Sequence, residues 1–208
     1  MLDAAAGERA VCPDARALSE ALDAYHDGLL GRHVHDTLRQ LLRTLSLWLS
    51  AAPSGCWPGL VTRCRGHAVS HLLYQEPTTW RAFVKPRGYP GDAVTIDLLY
   101  GHPSAHPIVE AASDLGQGIY SYVRHTVAAN AVRQRRQFMA ARIDDAAKAR
   151  KAASILSLGC GHLRELEVSE QFRCGRVARF VALDQDAQTL AVVRHEHSAV
   201  IGIQSTVK

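Results

Sequence analysis

Two short apolar runs toward the C-terminal end constrain the fold of this chain more than any other feature. Residues 154–158 (SILSL) end at Gly159, and residues 179–183 (RFVAL) end at Asp184. Short runs rich in aliphatic side chains and bounded by turn residues are typical of strands in a parallel sheet. A third run follows at 199–203, and helices are predicted at 163–172 and 187–195. The sequence therefore predicts alternating strands and helices, as in half of a doubly wound sheet.

The preceding 150 residues predict helices and no sheet. Apolar side chains recur there at helical spacing, beginning after the N-cap candidate Asp14. The predicted helices cover 14–31, 38–49, 60–74, 93–100, 108–122 and 132–147. Residues 85–92 (KPRGYPGD) hold two prolines and two glycines, which predicts a shaped loop. We expect an α/β protein with a helical N-terminal or lid domain over 1–150 and a partial Rossmann-like domain over 151–208.

Composition excludes several classes of protein. The chain is 47% hydrophobic and 21% charged, with no apolar stretch long enough to span a membrane and no signal-peptide pattern, so we expect a cytoplasmic protein. Its five cysteines are odd in number and lack paired spacing, so no disulfide framework is expected. Cys64, His67 and His71 fit one helix face but lack a fourth ligand, so we expect no metal.

Charge gives little reason to expect a nucleic-acid partner. The net charge is +4, and the arginines are scattered apart from Arg133, Arg135 and Arg136. A short cluster of this kind is usually a solvated helix face. We therefore expect a small-molecule ligand and no nucleic acid.

A glycine-rich turn and a downstream acid predict a nucleoside site. Gly159-Cys160-Gly161 follows the first strand, and Asp184 ends the second. Glycines let a ligand approach the backbone closely, and a carboxylate at the next strand end accepts both ribose hydroxyls. Arg164 occupies the position of the third glycine in a dinucleotide fingerprint, which disfavours NAD. S-adenosylmethionine, which has no phosphate, fits this pattern better.

Four stretches together resemble one enzyme family. They are residues 80–101 (WRAFVKPRGYPGDAVTIDLLYG), 131–144 (AVRQRRQFMAARID), 156–167 (LSLGCGHLRELE) and 180–186 (FVALDQD). They resemble bacterial class I S-adenosylmethionine-dependent methyltransferases of the extracellular-factor type, which serve the biosynthesis of 3-hydroxypalmitic acid methyl ester, a quorum-sensing signal. The resemblance extends over residues 71–200. It implies S-adenosylmethionine as cofactor and O-methylation of a small carboxylic acid such as a 3-hydroxy fatty acid.

The resemblance also assigns residues to the site. It implies that the cofactor is bound by Gly159, Cys160, Gly161, Asp184, Gln185, Gln204 and Ser205. Residues that it places near the substrate or in the lid are Arg87, Tyr89, Asp92, Arg133, Arg136 and His162. Family members build a larger sheet, so the resemblance implies that a C-terminal part is absent from this chain. A sheet left with three strands would have an unpaired edge and exposed apolar surface.

Several alternatives remain open. Asp92 could instead cap the following helix with Arg87 as its partner. A carboxylate acceptor needs no general base, whereas a hydroxyl or amine acceptor would need one, with His162 or Asp92 as candidates. No catalytic residue is therefore assigned. The alternative function is a non-catalytic helical ligand-binding or interaction module that carries a degenerate Rossmann remnant.

Overall fold

The computed structural model describes residues 14–205, which divide into two compact units. The first unit comprises residues up to Trp80 together with Val109–Tyr122, and the second comprises Arg81–Ile108 together with residues from Val123 onward. This division does not coincide with the boundary predicted near residue 150. Two helices that precede the sheet in sequence belong to the same unit as the sheet.

The first unit holds helices and no strand among its described residues. Its helices are α1 (Ala15–Leu30), α2 (Val34–Ala51), α3 (Trp57–Gly66), α4 (Ala68–Leu73) and most of α8 (Asp114–Arg124). The short helices α5 (Pro77–Val84) and α7 (His106–Glu110) each continue from one unit into the other. Asp14 caps α1 as predicted, since its carboxylate accepts a hydrogen bond from the backbone N–H of Arg16. The predicted apolar stripe of α1, which includes Leu18 and Leu29, is buried.

Two helices predicted as continuous are interrupted. The stripe over 60–74 is divided between α3 and α4 at His67, whose Nδ1 accepts a hydrogen bond from the backbone N–H of Val69. The stripe over 108–122 is divided between α7 and α8, where the Ser113 hydroxyl accepts a hydrogen bond from the Gly116 N–H. A capping side chain interrupts the helical backbone without disturbing the apolar spacing, so periodicity alone could not reveal these breaks.

The cysteines differ from expectation at one position. Cys64, Cys160 and Cys174 are free thiols, whereas Cys56 is disulfide-bonded. No disulfide framework is predicted from the sequence, so the bond at Cys56 departs from that expectation, because spacing along the sequence does not show which sulfurs lie within bonding distance. None of the helices within residues 14–205 is long and apolar enough to cross a membrane.

The second unit contains the sheet. Its strands are β1 (Ala153–Leu158), β2 (Val177–Asp184) and β3 (Val200–Gln204), and its helices are α6 (Ala93–Tyr100), α9 (Val127–Ala149), α10 (Glu170–Arg173) and α11 (Ala187–Glu196). The strands are parallel in the order β1-β2-β3. A mixed α/β fold with a small parallel sheet is thus confirmed, and all three predicted strands are present.

Within residues 14–205, helices cover only one face of the sheet. Phe180, Ala182 and Val200 are buried on the face that packs against α9 and α11. The opposite face is formed by two rows of aligned aliphatic side chains, Leu156-Val181-Ile201 and Leu158-Leu183-Ile203. Leu156 is 59% exposed and Leu158 is 70% exposed. The prediction that these strands are buried is therefore right for one face and wrong for the other, which we call the uncovered face.

The predicted helix over 163–172 is largely absent. Turns occupy most of this segment, and the four-residue helix α10 begins only at Glu170. Leu163 adopts a left-handed backbone with φ of 54°, which is incompatible with the start of a helix at that residue. The glycine-rich turn therefore leads into a loop, and no helix N-terminus directly follows it.

Candidate functional site

A cavity of about 590 Å³ lies at the carboxyl ends of β1 and β2, within the second unit. This is the edge where parallel α/β sheets bind their ligands, and the volume is typical of small-molecule pockets. We call it the main cavity. Its lining includes Tyr89, Asp97, Tyr100, Arg135, Arg136, Met139, residues 157–165, Leu183, Asp184, Gln185 and Ser205.

The glycine-rich turn forms one wall of the main cavity. Gly159 and Gly161 have φ values of 60° and 55°, in the left-handed region that favours glycine. A Cβ placed on Gly159 would meet no atom within 4 Å, so the need for glycine comes from the backbone conformation. The Cys160 N–H donates to the Leu183 carbonyl at 3.1 Å, which fixes the turn against the end of β2.

Asp184 lies directly against this turn. Its Oδ2 accepts a hydrogen bond from the Gly161 N–H at 3.0 Å, and its Oδ1 accepts one from the Asp186 N–H at 3.0 Å. The side chain is buried at the cavity wall. The Cys160 thiol also donates weakly to Oδ2 at 3.9 Å, whereas Oδ1 keeps a second lone pair that can accept a donor from a ligand. The structure thus brings the turn and the acid together around one cavity.

Cys160 is not a nucleophile in this setting. Burial, the negative charge of Asp184 and that of Glu165 raise the pKa of the Cys160 thiol to about 12. The group is therefore a protonated thiol near neutral pH, and only a thiolate attacks efficiently. Cys160 contributes shape and an apolar surface to the main cavity.

A neighbouring depression of about 660 Å³ continues from the main cavity beside Tyr89, Gln185 and Ser205. We call it the side cavity, and Gln204 lines it. Burial and the charges of Asp184 and Asp186 raise the pKa of Tyr89, so its hydroxyl stays protonated and interacts with the Gln185 side chain.

The predicted loop at 85–92 reaches this region through Arg87. Its guanidinium pairs with Asp186 at 3.2 Å, and it lines the side cavity. The alternative in which Arg87 pairs with Asp92 is therefore wrong, since the partner of Arg87 is Asp186, the N-cap residue of α11.

Two predicted substrate residues serve the fold instead. Asp92 is 2% exposed, caps α6 through the Thr95 N–H, and pairs with Arg81 at 2.7 Å. Burial alone would raise the pKa of Asp92, but the hydrogen bonds from Arg81 and Thr95 outweigh burial and lower it. Arg133 donates to the Leu99 carbonyl at 3.0 Å. Neither Asp92 nor Arg133 lines the main cavity, because each is already engaged with a neighbouring backbone segment.

Arg136 and Arg135 both line the main cavity but differ in their partners. Arg136 pairs with Glu167 at 2.9 Å and donates to the Arg164 carbonyl, so its charge is already compensated. Arg135, which the site prediction did not include, has no carboxylate within ion-pair distance among the described residues. It interacts with the Tyr100 hydroxyl.

Glu165 is a further lining residue that was not predicted. Burial raises the pKa of its carboxyl, while the nearby positive charges of Arg135 and Arg136 oppose this shift. The sequence gives little indication of this role. Glu165 and Glu167 stand two residues apart in RELE, and such a pair of acids is common on solvated loops. The main cavity thus holds a carboxyl group near a guanidinium that forms no ion pair among the described residues.

A buried ionic network supports the cavity from the side of α6. Asp97 accepts hydrogen bonds from Arg164 through both oxygens at 2.9 Å, and its Oδ2 lies 2.8 Å from His162 Nδ1. Burial alone would raise the pKa of Asp97, but the His162 and Arg164 hydrogen bonds hold it well below its usual range. Arg164 also pairs with Glu167 and Glu196. Asp97 and His162 both line the main cavity.

Comparison of the chain with protein-family models, with curated proteins and with solved structures finds no match.

Proposed function

We propose that this chain binds S-adenosylmethionine in the main cavity and is a methyltransferase, or the N-terminal part of one, built on half of a Rossmann-like sheet. One observation carries the proposal. The Asp184 carboxylate and the Gly159–Gly161 turn, which lie 23 residues apart, are joined by a 3.0 Å hydrogen bond at the wall of one cavity. A nucleoside bound there would contact both.

Asp184 is suited to a ribose diol. Its two oxygens are held in place by backbone N–H groups, and Oδ1, which accepts only the Asp186 N–H among the described residues, keeps a lone pair for a ribose hydroxyl. The side cavity offers space for the base beside Gln185, Tyr89 and Gln204. Amide groups and a protonated phenol supply both donors and acceptors to a purine edge.

Two further lining residues of the main cavity suit an α-amino acid group. Arg135 provides a guanidinium for a carboxylate, and Glu165 provides a carboxylate for an ammonium group. A zwitterionic methionine end would thus find both charges complemented. No phosphate site is required, which agrees with the absence of a helix N-terminus directly after the turn.

S-adenosylmethionine supplies an electrophilic methyl group when it is bound. The chain's own contribution would be to hold the acceptor in line with that methyl group and to exclude water. The acceptor class that we carry forward from the family resemblance is a 3-hydroxy fatty acid, which bears both a carboxylate and a hydroxyl. Methylation of such an acid in the pathway of a quorum-sensing signal is part of the same proposal.

An Asp184→Asn substitution tests the cofactor site. The charge-assisted hydrogen bonds to the ribose would be lost, and we expect the free energy of S-adenosylmethionine binding to weaken by about 1–3 kcal/mol. The affinity is measured by ligand-observed NMR titration, which detects weak binding. Asp145→Asn is the matched control, since Asp145 is exposed and pairs only with Arg142. Equal affinities of wild type and Asp184→Asn would contradict the proposed site.

The uncovered face favours a second candidate, a non-catalytic interaction module. An exposed row of aliphatic side chains is more typical of an interface than of a solvated surface. The same titration separates the two candidates. Wild-type protein that shows no S-adenosylmethionine signal at millimolar ligand would favour the module over the enzyme.

A further inference from the structure

We propose that a further cavity of the unit that contains the sheet binds a small molecule bearing a diphosphate or triphosphate group. This cavity has a volume of about 430 Å³ and lies at the amino ends of β1 and β2. We call it the basic cavity, and its lining includes Lys148, Arg150, Lys151, Gln171, Arg176 and Ala178. The inference does not depend on the proposed methyltransferase function.

The charged side chains of the basic cavity are all positive among the residues that the structure describes. Lys148, Arg150, Lys151 and Arg176 line it, and no described carboxylate does. Within residues 14–205, none of these four side chains has a carboxylate within ion-pair distance. The fold therefore brings together cations that are separated in sequence, and it does not neutralise them.

Asp144 is the acid whose charge acts on this group, through Lys148. Burial alone would raise the pKa of Asp144, but hydrogen bonds from Ser169 and from the backbone of Gln171 and Glu170 lower it, and the charge of Lys148 adds to this effect. The Asp144 carboxylate is bound to the Ser169 hydroxyl at 2.6 Å and to the Gln171 N–H at 2.9 Å. It does not line the basic cavity, so it leaves the other three cations uncompensated.

The fold orients one of these cations and shapes the cavity beside it. Gln171 is 3% exposed, and its Oε1 accepts a hydrogen bond from Arg176 Nη1 at 3.0 Å. A buried amide thus fixes a guanidinium at the cavity wall. The strand pairing shifts between Ala153 and Ser154, so Ala178 of β2 has no partner in β1. Such a bulge bends the strand locally and is common beside active sites.

Helix electrostatics explain only part of this positive charge. Basic side chains at the end of a helix complement its carbonyl groups, which accounts for Lys148 and Arg150 at the end of α9. Lys151 and Arg176 lie in loops, outside the helices and strands. Like charges around one cavity repel one another and reduce the stability of the free protein. A bound polyanion would relieve that repulsion.

The chemistry of the lining favours a phosphate chain over a single carboxylate. Guanidinium groups bind phosphate oxygens through two parallel hydrogen bonds, and lysine adds a point charge. Several cations around one cavity match a ligand with several negative charges, which a lone carboxylate does not carry. The volume of the basic cavity is that of a small-molecule pocket. These properties together point to a soluble compound with a diphosphate or triphosphate group.

The position of the basic cavity separates it from the proposed chemistry. The main cavity lies at the carboxyl ends of the parallel strands, whereas the basic cavity lies at their amino ends. Strand β1 has six residues, so about 20 Å lies between the two ends. A ligand in the basic cavity would act by stabilising the folded unit, since a ligand that binds only the folded state raises its stability by mass action.

A first experiment locates the site with sodium tripolyphosphate as the probe. The full chain is titrated at constant ionic strength, and proton–nitrogen NMR spectra report which backbone amides shift. We expect saturable shifts at residues 147–151 and 175–178 and none at residues 159–161. Shifts confined to the main cavity, or shifts at basic residues throughout the chain without saturation, would overturn the proposal.

A second experiment compares variants that remove the same charge. Arg176 lines the basic cavity, whereas Arg173 is exposed in α10 and does not. We expect Arg176→Gln to weaken tripolyphosphate affinity by about tenfold, the usual effect of a lost charge-assisted hydrogen bond. Arg173→Gln should weaken it by less than about twofold. An equal loss in both variants would show general charge attraction and overturn the site.

Lys151→Gln repeats this test without disturbing a buried contact. Lys151 is exposed in a loop and leaves the hydrogen bond between Gln171 and Arg176 intact, so a folding defect in Arg176→Gln would not decide the result. We expect Lys151→Gln also to weaken tripolyphosphate affinity by severalfold more than Arg173→Gln does. Wild-type affinity in both Lys151→Gln and Arg176→Gln would overturn the proposal.

Competing ligands test the class of molecule that is bound. Sulfate that binds as tightly as tripolyphosphate would overturn the polyphosphate assignment. A DNA duplex, or vesicles containing phosphatidylglycerol, that bound more tightly through the same residues would overturn the assignment to a small molecule. Asp184→Asn should keep wild-type affinity for tripolyphosphate. Absence of S-adenosylmethionine binding with tripolyphosphate binding retained would contradict the proposed function and support this site.

Discussion

Backbone conformation at Gly159 and Gly161 determines the shape of the main cavity. Both residues are left-handed, and an L-residue placed there would meet strain even where space is available. The local sequence was sufficient to predict this turn, because glycines that follow an apolar strand usually form a turn with a left-handed backbone. The left-handed Leu163 was not predictable in the same way, since leucine carries no signal for that conformation.

A pair of alanine substitutions tests this account of the turn. Gly159→Ala should lower the free energy of unfolding by about 1–2 kcal/mol, because alanine resists a φ of 60°. Gly59→Ala is the control, since Gly59 lies inside α3 with open space around it. There we expect stabilisation by about 0.5–1 kcal/mol from reduced backbone entropy. Urea denaturation measures both, and equal effects would contradict the role of the left-handed turn.

Asp97 makes the stability of the chain sensitive to acid. Its folded pKa lies below the value of about 3.9 in an unfolded chain, so its contribution is present above that pH and is lost as pH falls toward the folded value. We expect Asp97→Asn to cost about 3 kcal/mol at pH 7, since it leaves part of the Arg164 charge uncompensated. The difference from wild type should shrink below about pH 4.

Urea denaturation at a series of pH values measures this difference. Asp145→Asn is the exposed control and should change stability by less than about 1 kcal/mol at every pH. A pH-independent difference for Asp97→Asn would contradict the ionic account. Asp97 was missed from sequence because its partners lie 65 and 67 residues away. Its isolation in the apolar helix AVTIDLLY was nevertheless a signal of a buried, paired acid.

Among the secondary-structure elements, the strands of the sheet expose two rows of aliphatic side chains on the uncovered face. The strands were predictable because short aliphatic runs bounded by turn residues commonly form the strands of a parallel sheet. The sequence did not predict which face of the sheet is covered. Burial of a face depends on where helices pack against it, and the residues of the strands do not specify that position. The predicted helix over 163–172 failed for a related reason, since Leu163 and Leu166 pack into the core from a loop and not from a helix.

Substitutions on the two faces of the sheet should behave differently. Leu156→Lys on the uncovered face should reduce binding of the dye ANS and self-association, with a stability change within about 0.5 kcal/mol. Leu190→Ala in α11, which packs against the covered face, should cost about 2–5 kcal/mol, since Leu190 is fully buried. Dye fluorescence, light scattering and urea denaturation measure these effects. A large destabilisation by Leu156→Lys would contradict the exposure of that face.

At the scale of the whole molecule, two spectroscopic signals differ in how they report the unfolding of the two units. All three tryptophans, Trp48, Trp57 and Trp80, belong to the first unit, whereas the sheet belongs to the second. We expect Leu190→Ala to lower the unfolding midpoint seen by circular dichroism more than the midpoint seen by tryptophan fluorescence. Equal shifts would show that the two units unfold as one.

Among the described residues no strand pairs with β1 on the side away from β2, and this has a consequence for specificity. Parallel strands end at the same border of a sheet, so any fourth strand that aligned beside β1 in parallel would finish next to Ser157 and Gly159 at the mouth of the main cavity. The segment following that strand would become an additional wall. The choice of methyl acceptor would then depend both on the cavity residues of this chain and on the segment after that strand. Selectivity would change with that segment, without any substitution in the residues of the main cavity.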